Sequence, residues 1–303
     1  MAHRSVLIAI DIGGTKTALM VADSSTHEPL ALARFKTDTE ASPEAYAQRL
    51  KAHVDQLMER EGLAKRRIRA VGAAVPGQVD HIGTILCAGK LGWNDAPFRD
   101  SLQQQFGAPA FVEQDANSAA LGERWKGHAT RCNDFVFLAL GTGVGAGLWL
   151  GGRLHRGFHH AAGEVGLMML GRKSPQLPPG EKSLEKAVGS PAIKERAGAP
   201  PDVPAKEILE DPDSAKVAER VADEVAAAVI NICTVVDPEL VVFGGGTATD
   251  ALLTRVRYRV DQELQWKPEL LRSALGEEAQ LYGALWGALG VLPRSHHAHR
   301  EAA

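Results

Sequence analysis

The stretch SVLIAIDIGGTKTALMVAD, residues 5–23, decides the fold class. Two apolar runs, SVLIAIDI and TALMVAD, flank the turn Gly13-Gly14-Thr15. Both runs read as strands, being short, apolar and bounded by a glycine break. Glycines let backbone N–H groups approach an anion and form a nest for it. Lys16 follows the turn and Asp11 precedes it, so a cation and a carboxylate flank those amides. The same form returns in DFVFLALGTGVGAGLWLGGRL, residues 134–154, around Gly141, Thr142 and Gly143. The offset is about 130 residues, a short echo that two lobes built from related halves would explain. A third cluster, Gly244-Gly245-Gly246, ends the apolar run of PELVVFGGG.

Outward from these turns, strands and helices alternate. Helical spacing runs through residues 42–62, 98–107, 116–127, 213–236 and 279–292, and further strands are expected at 68–77 and 109–115. Residues 171–205 read as a polar, Pro-rich middle, and residues 293–303 as a disordered tail. The alternation predicts an α/β class. The chain has 303 residues and a net charge of −3, with both signs mixed throughout. That balance argues against nucleic acid or an anionic membrane as partner. No apolar run is long enough to span a bilayer, and MAHRSVLIAIDIGG is too short in its apolar part for a signal peptide. Cys87, Cys132 and Cys233 lie far apart, as expected of a reduced, cytoplasmic protein.

Two common phosphate motifs fail. GTGVGA, residues 141–146, fits a dinucleotide pattern, but GLWLGG reads as a strand where that motif needs a helix. GGTKT lacks the ending and spacing of a P-loop. Hairpin turns cradling phosphates from two lobes remain, and beside them Asp11 can hold a magnesium ion. In FVEQDANSAALG, residues 111–122, Asp115 reads either as a helix cap or as a chemical group.

In order and spacing these motifs resemble the ROK family (repressor, open reading frame, kinase) of the actin-like, hexokinase-like ATPases. IAIDIGGTKTALMVAD matches its first phosphate motif, AVPGQVD its Pro-Gly loop and LGW its tryptophan segment. FVEQDANSAALGE matches its catalytic motif, LGTGVGAGLWLGGRL its second phosphate motif, GEVG its sugar motif and VVFGGG its adenosine motif. The resemblance implies a two-lobed α/β fold with the active site in the interlobe cleft. The expected lobes are 1–115, with the helix 280–292 packing back on it, and 116–279. It implies a kinase taking ATP and Mg²⁺, with Asp115 as general base toward a sugar hydroxyl. Asp11 would hold the magnesium. The turn amides at Gly13, Gly14, Thr142 and Gly143, with Thr15, Lys16 and Gly141 beside them, would face the phosphates. Glu164, Glu185, Gln114, Pro76 and Gly77 would serve the sugar, and Gly244, Gly245 and Gly246 the adenosine. Capping of the helix after Asp115 would fall to Asn117 or Ser118. Family repressors carry an N-terminal helix-turn-helix, whereas here the phosphate motif begins within the first dozen residues, which implies the kinase arm. A homodimer would follow the family's habit.

Three departures stand out. Leu167 occupies the place of the family's usual His, and GRKSPQLPPGEKSLE has no cysteine where the family usually has three. A tetrahedral zinc site is therefore expected to be absent, with His155, His159 and His160 read as loop residues. Gln114 stands where the family often has Asn. Glucose is the first expectation for the substrate; another hexose, an N-acetylhexosamine or a glucoside stays open. The competing reading is a kinase-like sugar-binding or sensing protein without phosphotransfer.

Overall fold

A computed structural model describes residues 5–169, 171 and 183–293. The tail read as disordered lies outside the described residues beyond Pro293, as does 172–182 of the stretch where zinc ligands were looked for. The chain divides into two compact units, residues 1–121 with 280–303, and residues 122–279.

The first unit is built on β1 (Ser5–Ile12), β2 (Lys16–Asp23) and β3 (Pro29–Lys36), followed by α1 (Pro43–Arg60) and β4 (Arg67–Val75). A small antiparallel sheet of β5 (Gln78–Val79), β6 (Ile85–Ala88) and β7 (Trp93–Ala96) comes next. Then follow α2 (Phe98–Phe106), β8 (Ala110–Gln114) and α3 (Asp115–Lys126), and the unit boundary falls inside α3. The main sheet has the order β3-β2-β1-β4-β8, antiparallel across β1–β3 and parallel across β1, β4 and β8. Ile8, Ile10, Ile12, Val71, Val75 and Val112 share one core with Leu50 and Val54 of α1 and Leu102 of α2. Ser42 caps α1 by accepting the Ala45 N–H at 3.2 Å, with Pro43 in its first turn.

The second unit contains β9 (Phe135–Leu140), β10 (Val144–Leu150) and β11 (Arg153–Leu154). The helices α4 (Leu184–Val188), α5 (Ser190–Ala197), α6 (Ala205–Glu210) and α7 (Ala215–Val236) follow, then β12 (Leu240–Gly244), α8 (Asp250–Glu263) and β13 (Glu269–Arg272). Its sheet order is β11-β10-β9-β12-β13. β9 pairs antiparallel with β10 and parallel with β12, which pairs parallel with β13. The two sheets therefore share one topology, which the repeated strand–turn–strand form had suggested.

The described part of 171–205 is more helical than its composition suggests. Ser183 caps α4, and Leu184, Val188 and Ile193 are buried. Helices this short carry too few turns for a periodic signal. The small sheet, α8 and β13 were likewise not expected.

The last helix, α9 (Ala279–Gly290), explains its small-residue sequence by close approach. A Cβ on Gly283 would lie 1.6 Å from the Ser118 carbonyl oxygen in α3, and one on Gly72 of β4 would lie 1.8 Å from that of Ala284. Ser118 Oγ donates to the Gln280 carbonyl at 2.9 Å, closing the same contact. Gly283→Ala should lower the thermal midpoint by several degrees, an overpacking penalty of about 1–3 kcal/mol. Gly290→Ala, in the same helix with nothing within 4 Å, should not lower it. Differential scanning fluorimetry compares the two, and equal midpoints would contradict this account.

Candidate functional site

In the first unit β1 delivers Asp11 at the end of the sheet. Its cross-strand neighbours are Ala18 and Ala74, and the row continues to Arg34 on β3 and Glu113 on β8. Residues opposite one another share a face, so small alanines flank the carboxylate. The turn after β1 closes on itself, with the Gly13 N–H donating to the Lys16 carbonyl at 2.9 Å. Gly13 was expected among the phosphate donors, but its amide is already engaged. A side chain there would meet the same carbonyl at 2.8 Å. Among the described residues the N–H groups of Gly14 and Thr15 make no such bond.

A buried hydroxyl relay fixes this turn. Thr37 Oγ1 donates to the Gly13 carbonyl at 2.7 Å, and the Thr37 N–H donates to Thr15 at 3.0 Å. A hydroxyl has one proton, so Thr17 must donate to Thr37 across their 2.9 Å contact, and Tyr46 to Thr17 across 2.5 Å. Tyr46 packs edge-on against Trp93 of the LGW segment, whose indole N–H donates to Ala41 at 2.9 Å. In the Pro76-Gly77 loop, Gly77 has φ +103° and its Cα faces the Cys87 carbonyl so closely that a Cβ would lie 2.1 Å away.

Asp115 opens α3. Its Oδ1 accepts the Ala116 N–H at 2.7 Å. Capping is done by neither Asn117 nor Ser118. Gln114 Oε1 accepts the Asn117 N–H at 2.8 Å, while Asn117 Nδ2 donates to Glu113 Oε1 at 3.1 Å and Ser118 reaches toward α9. The longer Gln side chain loops over the helix start, which Asn117 and Ser118, already inside the helix, cannot do. Gln114 is thus oriented with its amide nitrogen as the remaining donor.

Asp11 and Asp115 are half-buried by exposure, yet enough protein surrounds each to strip much of its hydration. Desolvation raises the Asp11 pKa to about 7, with repulsion from Asp115 adding to the rise and Arg34 opposing it. Asp115 is also raised by desolvation, against the Ala116 N–H and the charge of Lys90. Lys90 lies over the first turn, its Cδ 3.1 Å from where a Gly14 Cβ would stand. Arg34 and Lys90 were not singled out in the sequence. Neither belongs to a motif, and only the strand register and the loop path bring them here.

The second unit gathers its own set. Gly141 closes its turn by donating its N–H to Gly143 at 3.0 Å, leaving Thr142 and Gly143 as the turn's N–H groups without a bond among the described residues. Glu185 Oε2 accepts the Val144 N–H at 2.9 Å, so this carboxylate, expected at the sugar, is engaged at the end of the second glycine turn. Glu164 heads the short 3₁₀ turn Val165–Leu167, in a loop held by Ala146 N–H donating to Gly163 at 2.7 Å. Leu167 is 67% exposed. Gly244 and Gly245 have packing reasons of their own, since a Cβ would stand 2.2 Å from the Phe137 ring on the first and 2.2 Å from the Leu140 carbonyl oxygen on the second, whereas Gly246 borders open space.

The magnesium expectation can be tested against the donor set. Among the described residues no three His, Cys, Asp or Glu side chains converge to hold a metal. A desolvated Asp11 fits a different arrangement, in which one carboxylate is joined by phosphate oxygens and water.

The Asp11 shift has a definite sign for stability. Between about pH 4 and about pH 7 the folded chain retains a proton that the unfolded chain releases, so stability falls as pH rises through that window. Asp11→Asn removes the term. The variant should melt several degrees above the parent at pH 8, and the gap should shrink steadily as pH falls toward about 4. A pH-independent difference in thermal melts would refute the assignment.

A family model described as "ROK family" matches residues 7–290. A xylose repressor of Caldicellulosiruptor bescii is 35% identical over 114 residues, a match spanning 37% of this chain and only 29% of the repressor. A glucokinase of Streptomyces coelicolor is 29% identical over 312 residues, covering 91% of this chain and 95% of that one. Among solved structures, a ROK family glucokinase from Streptomyces griseus in complex with glucose and AMPPNP superposes with a TM-score of 0.81 at 27% identity, covering 94% of this chain and 100% of the other. With a match over nearly its whole length and the two-lobed α/β fold of these kinases, the chain belongs to the ROK family.

Proposed function

We propose that this protein is an ATP-dependent sugar kinase that transfers the γ-phosphoryl group to a hexose, with the 6-hydroxyl of glucose as the leading acceptor. The observation that carries the reading is Asp115, desolvated at the head of α3 and electrostatically coupled to Asp11 and Lys90 beside the first glycine turn. The similarity to glucokinases over most of the chain supports it.

Asp115 accepts the proton of the attacking hydroxyl. Its raised pKa makes it a stronger base than an exposed carboxylate, and a loose phosphoryl-transfer transition state asks for little more than that and good positioning. Gln114 donates its amide N–H to a sugar hydroxyl, Glu164 and Glu185 accept from others, and the Pro76-Gly77 loop also serves the sugar. The N–H groups of Gly14, Thr15, Thr142 and Gly143 bind phosphate oxygens, Lys16 adds charge, and Gly246 borders the adenosine. Asp11 holds Mg²⁺, which when bound neutralises phosphate charge. Among the described residues no helix is long and apolar enough to cross a membrane, and the three cysteines are free, in keeping with work in the cytoplasm.

A second reading has its own support. Leu167 at the usual His position and the partial match to a xylose repressor favour a sugar-binding protein without phosphotransfer. ADP release measured across hexoses, N-acetylhexosamines and glucosides separates the two and names the acceptor. Asp115→Asn should lower kcat by about 10²–10⁴-fold while sugar affinity stays within a few-fold. Near-parental turnover in that variant would remove Asp115 as the base, and sugar binding without ADP release by the parent would favour the second reading.

A further inference from the structure

The second glycine turn is gripped at both ends by the junction of α4 and α5. At one end the Gly141 carbonyl accepts two hydrogen bonds from a single residue, from the Ser190 N–H at 2.8 Å and from Ser190 Oγ at 2.9 Å. At the other, Glu185 Oε2 accepts the Val144 N–H at 2.9 Å. Between these grips the junction is pressed on the turn, since a Cβ on Gly189 would lie 3.0 Å from the Thr142 carbonyl oxygen. The loop that carries Glu164 joins the same cluster. A Cβ on Gly166 would stand 2.3 Å from the Val144 carbonyl oxygen and 3.4 Å from Glu185 Cβ.

We infer that Glu185 and Ser190 form a positioning clamp for the donor-phosphate turn, with Glu185 serving the phosphate turn and the sugar loop at once. The inference rests on the kinase reading and deepens it. A turn with glycines at 141 and 143 has a loose backbone, and ordering it only when phosphate arrives would cost binding energy. Holding its first carbonyl and the N–H after it presets the Thr142 and Gly143 amides, as a preorganised anion site requires. A carboxylate beside a phosphate turn is repulsive by itself. Accepting the Val144 N–H offsets part of that repulsion and keeps Val144 out of the phosphate-binding set. Acceptor and donor recognition in this unit thereby share one side chain.

Steady-state ADP release with ATP and sugar varied separately tests the clamp. Glu185→Ala should raise the KM for ATP about tenfold, the size expected for one charge-assisted hydrogen bond. Glu185→Gln should restore the ATP value to within about twofold, because its amide oxygen still accepts the Val144 N–H, while the KM for sugar stays raised in both. Ser190→Ala should raise the KM for ATP a few-fold and leave that for sugar unchanged. A Glu185→Ala effect confined to sugar, or failure of Gln to restore ATP, would overturn the clamp. If the parent releases no ADP with any sugar, the kinase reading fails instead. The same contrasts are then read as ATP affinity by titration calorimetry, and absence of ATP binding would overturn the clamp as well.

Discussion

Two desolvated carboxylates close enough to interact set the terms for the first unit. Asp11 and Asp115 repel each other, and desolvation disfavours the charge on each. Packing alone would replace such a pair with apolar residues, a change often neutral or stabilising in a core. The surroundings instead temper the charge without removing it. Alanines flank Asp11, Arg34 lies further along the row, and the Ala116 N–H and Lys90 favour ionised Asp115. A group with a pKa of about 7 is poised between its neutral and charged forms at neutral pH, the state that the proposed metal-holding role would call on. The lost stability is of the kind active sites retain for function.

The turns that frame this chemistry are rigid for different reasons. In the first unit the Tyr46–Thr17–Thr37 relay runs from α1 to the Gly13 carbonyl, so a packed helix fixes a glycine turn through three hydroxyls. In the second, Ser190 and Glu185 take that role from a short helical junction. In both, the first glycine N–H is used to close the turn. What remains for an anion is the pair of amides that follow, a narrower and more directional set than a run of glycines suggests.

Much of this was legible in the sequence, and the failures have physical causes. The buried strands and the long helices α1 and α7 showed themselves through apolar runs and 3.6-residue spacing. The turns between β1 and β2 and between β9 and β10 followed from glycines at strand ends. α4 and α5 were missed because each is too short to show a period, and β13 because four residues on an edge carry little pattern. Gln114 was read as a sugar contact, and its capping bond to Asn117 depends on a rotamer that no spacing encodes. Gly244 and Gly245 looked like ligand glycines, yet contact with Phe137 and Leu140 is reason enough for both. Arg34 and Lys90 become visible only once strand register and loop path are known.

The shared topology of the two sheets makes their differences informative. β1 and β9 each enter a glycine turn, and the residue two before the turn's first glycine is Asp11 in one and Ala139 in the other. β8 and β13 each end their sheet parallel to the neighbouring strand, but β8 runs into Asp115 while β13 runs into Ser273, which donates to the buried Glu123 at 2.5 Å. The corresponding carboxylates are thus present in one unit and absent from the other. Two acidic copies would place negative side chains beside both glycine turns, where they would repel any anion meeting the turn amides. In the second unit, Glu185 reaches its turn with its charge directed at the Val144 N–H. One topology therefore comes in two versions, one with Asp11 and Asp115 at its strand ends and one whose glycine turn is flanked mainly by backbone amides.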